Sequence, residues 1–382
     1  MAIRPHQVPV ELDRWLLLAV GGLTMLGIVM VASSSLPVAQ AMGTPFYYLV
    51  RHLIALGMGL LLALLLYRVN PDLLEKYSPY FAVAGVVCLL LPFIPGLGVK
   101  INGAQRWIKL VFTNFQMVEA VKLLLIIFLA GYCARRVWDL QNRMIGILKP
   151  LGVSVLLVAV LVLQPDFGGA VLVLTITVGM IWLAGASAMR LISLGVGVLL
   201  PAMIALAVME PYRLKRIVSF LNPWADPFRD GFQLTQALIA VGRGEWFGVG
   251  LGQSVQKLHY LPEAHTDFIV AVLAEEMGFF GIALTLALFA LLAGRCLMLG
   301  LEAVRREKYF LGYCAFGIGI WIAVQSLISI GVNFGVLPTK GLTLPLISSG
   351  GSSAMMTMAA LGLVFRLSAE LRRIPAEPQV QS

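Results

Sequence analysis

The chain has 382 residues, 59% of them hydrophobic and only 12% charged. Soluble domains are nearer half apolar and a quarter charged, so a soluble globular enzyme and a disordered chain are both excluded. The net charge of +9 and a pI near 9.5 would suit a nucleic-acid binder, but a mean hydropathy of +0.91 excludes one.

A membrane-spanning helix takes roughly 20 apolar residues, so the expected fold is an all-α integral membrane protein. It is read as a polytopic bundle of about ten transmembrane helices with one large extracytoplasmic loop. In chain order the candidate spans run 15–34, 46–67, 79–98, 115–134, 148–163, 167–186, 190–209, 267–293, 309–334 and 343–366. A cytoplasmic tail at 1–14, a single membrane domain at 15–366 and a second cytoplasmic tail at 367–382 complete the organisation. Only Gln164, Pro165 and Asp166 separate the fifth and sixth spans, which reads as a tight helical hairpin. The stretch 98–114 is read as a short loop. The connection 210–266 is long, rich in Pro, Gly and charge, and too polar to span. No cleavable signal peptide is expected, because the first apolar run near Trp15 is long enough to span and lacks a cleavage motif. Cys88, Cys133, Cys296 and Cys314 lie in apolar runs without metal-ligand spacing and are read as helix fillers.

Orientation follows from loop Lys and Arg. With the N-terminus in the cytoplasm, the cytoplasmic ends collect most of the basic residues, including Arg14, Arg68, Arg135, Arg295, Arg306, Arg366 and Arg372. The exceptions cluster outside, in 100–109 and 213–257. A basic outer face suits an anionic ligand, or plain attraction to lipid headgroups.

Ionisable groups at membrane depth are functional candidates. Glu119 and Lys122 stand three residues apart on one helix face, either as a structural ion pair or facing a ligand. Glu275 and Glu276 lie about two turns into the eighth span, and at least one is expected to face a polar cavity or a basic partner. Asp267 opens that span. As a single residue it reads best as an N-cap; the helix N-terminus would also favour the ionised form that a general base needs. Gly248-Val249-Gly250-Leu251-Gly252 has no strand–helix context and is not a nucleotide fingerprint. Ser348 to Ser353 open the last span, where small residues permit close packing. His265 is the only histidine in a motif context.

Four segments together resemble the SEDS family (shape, elongation, division and sporulation). They are Asn102-Gly103-Ala104-Gln105-Arg106-Trp107-Ile108, Gln164-Pro165-Asp166-Phe167-Gly168, Tyr260 to Ile269 followed by Glu275-Glu276, and Leu337 to Ser348. The resemblance covers almost the whole chain, and it is nearer the division branch than the elongation branch. It implies a peptidoglycan glycosyltransferase that polymerises lipid II on the outer face of the bacterial inner membrane, at the division septum. By resemblance, Asp267 falls on the family's essential aspartate. Arg106 and Lys122 fall on basic cavity positions, and Glu119 also matches. The chain departs from the family where Gln116-Met117-Val118-Glu119 stands for the usual Gln-Pro-Ser-Glu. It departs again at Gly169, usually Thr, and at Ser349, usually Tyr. The implied partners are a class B penicillin-binding protein (an FtsI-like transpeptidase) and other membrane proteins of the division machinery, of the FtsQ, FtsL, FtsB and FtsN kinds.

Glycan extension needs three things. A base takes the proton from the acceptor hydroxyl, and a carboxylate at the outer surface suits this, hence Asp267. Cations stabilise the departing pyrophosphate: Arg106 first, because a guanidinium holds phosphate bidentately, then Lys122 and Lys340, then Arg213 and Arg216. His265, Glu263, Asp166 and Ser348 complete the candidate substrate contacts. Two long lipids must also lie side by side in a groove. A divalent cation such as Mg is a candidate for the pyrophosphate, with Asp166, Asp226 and Asp230 as the outer carboxylates; no dedicated metal site is expected. The alternatives are a lipid II flippase, against which stands the lack of an ATP-binding domain, and a non-catalytic scaffold that activates a penicillin-binding protein.

Overall fold

The computed structural model describes residues 12–101, 103–109, 114–199, 201, 204, 219–229, 231–339 and 341–373. The helices are α1 (Arg14–Ala41), α2 (Tyr47–Arg68), α3 (Pro71–Leu90), α4 (Met117–Asn142), α5 (Met144–Leu163), α6 (Phe167–Leu183), α7 (Ala188–Leu194), α8 (Phe232–Gly244), α9 (Ile269–Arg305), α10 (Tyr309–Asn333) and α11 (Gly351–Arg373). Among the described residues, eight helices are long and apolar enough to cross a membrane, with α6 and the α7 region as two shorter apolar ones. This is the polytopic helical bundle expected from composition.

Several boundaries differ from the sequence reading: α1, α4 and α9 run past their expected ends to Ala41, Asn142 and Arg305. The third span begins earlier, because Asn70 caps the Asp72 N–H and Pro71 suits the first helical position. The last begins at Gly351 rather than 343, since 343–350 is irregular backbone, and it continues beyond 366 to Arg373. The expected 98–114 loop contains a small antiparallel sheet of order β1-β2-β3, with β1 (Gly98–Ile101), β2 (Ala104–Lys109) and β3 (Asn114–Gln116). In β2 Ala104 and Ile108 are buried with three partly exposed residues between them, and the pairing with β1 is bulged at Val99–Lys100. Most of the second half of the seventh expected span lies outside the described residues.

The helix α4 is the hub: 78% of its apolar window is buried, against 22% for α2 and for α3, whose outer faces are left for lipid. Its neighbours pack closely where glycine allows. A Cβ at Gly317 of α10 would meet Ile126 Cγ2 at 2.7 Å, and one at Gly59 of α2 would meet Met358 of α11 at 2.8 Å. Alternating helix directions give the bundle two ends. One holds Asp13 and the termini of α1 and α11; the other holds the sheet.

Helix α9 is broken near its start. Gly278 has φ +63 inside it, and the chain of 245–250 fills the break. Val249 N–H and Gly250 N–H donate to the carbonyls of Glu275 and Glu276, while Phe279 N–H and Phe280 N–H donate to Glu245 and Trp246 carbonyls. Glycine is required at 278, since a Cβ would stand 2.4 Å from Gly248 N. The glycine-rich 248–252 stretch is therefore backbone that seats in a helix break.

Candidate functional site at the sheet end of the bundle

The site is assembled around the extended segment 341–344, with one wall contributed by each of three helices. Gly341 lies against Asp267: a Cβ there would be 2.9 Å from Asp267 Oδ2. Leu342 lies against Gly168, two residues past Asp166, where a Cβ would be 3.0 Å from Leu342 Cγ. The Thr343 carbonyl accepts from Gln325 Nε2 at 2.8 Å, and Gln325 Oε1 in turn accepts from Lys122 Nζ at 2.7 Å. Residues far apart in sequence thus meet on one short piece of chain. Lys340 immediately precedes this piece and, with Arg213 and Arg216, lies outside the described residues, as does Asp230.

Asp267 is half-buried. It does not cap α9. The N-cap position is Phe268, without a side-chain cap bond, so the capping role offered to Asp267 by its sequence context is not filled by it. The cap comes from another helix: Asn333 Oδ1 accepts from Ala271 N–H at 3.0 Å, and Asn333 Nδ2 donates to the Asp267 carbonyl at 3.0 Å. Sequence reasoning missed Asn333, which reads as an ordinary helix-end Asn followed by Phe-Gly.

Capping falls instead to Asp166. Its Oδ1 accepts from Gly169 N–H at 3.0 Å at the start of α6, and Arg106 Nη1 stands 3.5 Å from the same oxygen. Gln116 Nε2 donates to Oδ2 at 3.3 Å. Asp166 therefore fixes Arg106 and the α4 entrance in one corner. The Arg106 side chain remains 27% exposed, whereas Lys122 is 1% exposed. Lys122 Nζ lies 2.8 Å from Glu119 Oε2, bonds Gln325, and sits 4.5 Å from the Trp321 ring centroid. Of the two readings of Glu119 and Lys122, the buried ion pair is the one observed.

The 263–267 turn is held from below. Ser348 Oγ donates to the Thr266 carbonyl at 2.7 Å and accepts from Leu344 N–H at 2.8 Å; Ser349 N–H donates to the His265 carbonyl at 2.9 Å. Glu263 is exposed and accepts from Thr266 Oγ1 at 2.7 Å. The His265 ring packs on Tyr48 with centroids 4.4 Å apart. Burial pushes the His265 imidazole below its ordinary 6.5, against the pull of Glu263, so it is neutral near pH 7. Ser348, Glu263 and His265 therefore shape the turn that carries Asp267.

Both deep carboxylates of α9 find basic partners. Glu275 accepts from Arg243 Nη1 at 2.8 Å and from Val255 N–H at 3.1 Å. Glu276 lies 2.6 Å from Lys257 Nζ, and Ser33 Oγ of α1 bonds both.

Two departures from the family pattern are in contact. A Cβ at Gly169 would be 2.9 Å from Val118 Cγ2. Where the pattern pairs a small Ser with a larger Thr, this chain pairs a larger Val with Gly, and the summed volume is kept. Met117 still occupies the first position of α4, where the pattern's Pro would stand.

Comparison with known proteins agrees with this architecture. A relative in Xanthomonas oryzae pv. oryzae, named probable peptidoglycan glycosyltransferase FtsW, is 52% identical over 361 residues, covering 94% of this chain and 74% of its own. One of the same name in Halorhodospira halophila is 47% identical, covering 96% and 93%. Among solved structures, a chain of a peptidoglycan synthase complex, described as coordinating polymerization and crosslinking, superposes with a TM-score of 0.76 at 30% identity, covering 95% of this chain and 99% of that one. The rod shape determining protein RodA of Thermus thermophilus gives 0.69 at 28% identity, covering 95% and 98%. The FtsW/RodA/SpoVE model, described as cell cycle protein, matches residues 14–373. With its bundle, its motifs and nearly its whole length accounted for, this multi-pass membrane chain belongs to the FtsW/RodA/SpoVE family of cell cycle proteins.

Proposed function

We propose that the protein is a peptidoglycan glycosyltransferase that polymerises lipid II during septal wall synthesis. The observation that carries this reading is that segment 341–344 touches Asp267, then Gly168, two residues past the Asp166 that pairs with Arg106, and then Gln325, which bonds Lys122 of the Glu119–Lys122 pair. The names of the curated relatives support it.

In this reading Asp267 is the general base. It precedes the first turn of α9, whose N-terminal field favours the ionised carboxylate. It removes the proton from the acceptor 4-hydroxyl of GlcNAc as that oxygen attacks the anomeric carbon of the donor MurNAc. The bond to undecaprenyl pyrophosphate breaks with inversion. Arg106, the more open of the two cations, faces the leaving pyrophosphate. Buried Lys122 acts through its field and through Gln325 rather than by contact. Lys340, Arg213 and Arg216 are further proposed phosphate contacts. A divalent cation would enter with the pyrophosphate: among the described residues no three His, Cys, Asp or Glu side chains gather to hold one, and Asp166 is committed to Arg106 and Gly169.

The sheet end faces outward in the bacterial inner membrane and the Asp13 end faces the cytoplasm, a placement supported by the basic residues gathered at the Asp13 end. The proposed partner is a class B penicillin-binding protein that cross-links the product, within an assembly that includes FtsQ-, FtsL-, FtsB- and FtsN-like proteins.

The test is polymerisation of lipid II in detergent by the complex with its cognate class B penicillin-binding protein, as wild type and as Asp267→Asn, with glycan chains resolved on a gel. Chains from the wild type alone are expected. Chains from both would remove Asp267 as base. Chains from neither, with a folded complex that binds lipid II, would favour transport or scaffolding.

A further inference from the structure

Helix α9 starts in a buried environment: Ile269, Val270, Ala271 and Val272 are all 1% exposed or less. A helix start leaves backbone N–H groups without intrahelical acceptors, and when buried they need a partner. Phe268 at the N-cap offers no side-chain acceptor. Asn333, fully buried at the end of α10, supplies a side-chain acceptor: Ala271 N–H, which also reaches the Phe268 carbonyl at 3.1 Å, donates to its Oδ1 at 3.0 Å. The same side chain donates to the Asp267 carbonyl at 3.0 Å and to the Ser329 carbonyl of its own last turn at 2.8 Å. One amide therefore ends α10, starts α9 and fixes the backbone of Asp267.

Eight residues earlier on α10, Gln325 bonds Lys122 Nζ and the Thr343 carbonyl, and Trp321 underlies the same ammonium. Two side chains of a single helix thus hold the two ends of the site, about 12 Å apart along the helix axis at 1.5 Å per residue.

We propose that Asn333 is a positioning residue for Asp267, and that α10 thereby holds the carboxylate in fixed register with Lys122. This rests on Asp267 being the base, as proposed above. Asn333 touches no reacting atom; it acts through the backbone of Asp267.

The experiment compares wild type, Asn333→Ala, Asn333→Asp and Ser329→Ala in the purified complex, measuring kcat and KM for lipid II together with the melting temperature. Asp keeps the cap acceptor; burial favours its protonated form, whose O–H can still donate to the Asp267 carbonyl, so it removes the donor only where it is ionised. Asn333→Asp is expected to keep KM and, at pH values where the new carboxyl is ionised, to lose kcat by about ten- to a hundredfold against wild type at the same pH, the scale of an ångström-sized misplacement. Asn333→Ala is expected to lose kcat at least as far. Ser329→Ala, whose hydroxyl has no hydrogen-bond partner among the described residues, is expected to match wild type. Wild-type kcat in Asn333→Ala would overturn the inference, as would an equal loss in Ser329→Ala. Loss of folded protein in both Asn333 variants would make the role purely structural and overturn it too. A wild type that makes no glycan would sink the functional reading itself, a distinguishable result.

Discussion

Gly341 shows how little room surrounds the proposed base. A methyl group there would press on Asp267 Oδ2 from 2.9 Å. Gly341→Ala is therefore expected to leave the protein folded but lower kcat by about tenfold, through displacement of the carboxylate. Glycan yield per folded complex checks this, and an unchanged rate would mean that Asp267 tolerates movement. Gly169 is a second tight position, where a Cβ would meet Val118 Cγ2 at 2.9 Å and Asp166 Oδ2 at 3.0 Å. Gly169→Thr should destabilise by about 1–3 kcal/mol through overpacking. Val118→Ser in the same chain should restore the part due to Val118, leaving the part due to the Asp166 carboxylate. A thermal double-mutant cycle with no coupling would show that the two positions do not compensate.

Elements depend on such residues in sets. The break in α9 exists because loop 245–257 gives back the hydrogen bonds that the helix loses, and because Glu275 and Glu276 pin that loop from inside. Lys257 is 5% exposed and Glu276 is fully buried. Removing one partner of a buried pair strands the other charge, which costs about 3–5 kcal/mol. Glu276→Gln should lower the melting temperature accordingly, and Lys257→Met added to it should recover part of the loss. If the single variant melts like wild type, the pair contributes nothing to seating the loop.

Across the whole molecule, the first and last described helices are tied together opposite the site. Asp13 caps α1 through Leu16 N–H and accepts from Arg295 of α9 at 2.6 Å, with Arg372 of α11 at 3.4 Å. Burial opposes its ionisation, but Arg295, the Leu16 N–H and Arg372 outweigh it and hold the carboxyl below its ordinary 3.8. A carboxyl depressed by folding stabilises fully above its unfolded pKa, and that contribution is lost as pH falls through the folded value. Asp13→Asn is expected to cost about 1–3 kcal/mol at neutral pH, the range for hydrogen bonds to charged groups. The gap between variant and wild type should begin to close below about pH 4, the unfolded carboxyl range, and vanish once pH is below the depressed folded value. Melting curves across pH check this; a gap independent of pH would exclude the ionised form as its source.

Resemblance to the family named Arg106 and Asp267; the sequence by itself determined the membrane class, the approximate positions of most spans, the 164–166 hairpin and the charges at membrane depth. These are local properties: a bilayer demands long apolar runs, and a charge within or beside one stands out by its cost. The sheet in 98–114 was not legible, because short half-buried strands carry a weak pattern beside strong helical ones. Nor was the division of labour between aspartates, in which Asp166 caps a helix and Asp267 does not. Tertiary structure alone decided that, together with the Lys122–Gln325, Ser33–Glu276 and Asn333–Asp267 contacts, whose partners lie 203, 243 and 66 residues apart. Such pairings depend on how each helix is rotated and how deeply it sits. In a bundle with apolar residues on every face, those variables are set by close packing between helices, not by the hydrophobic pattern along any one of them.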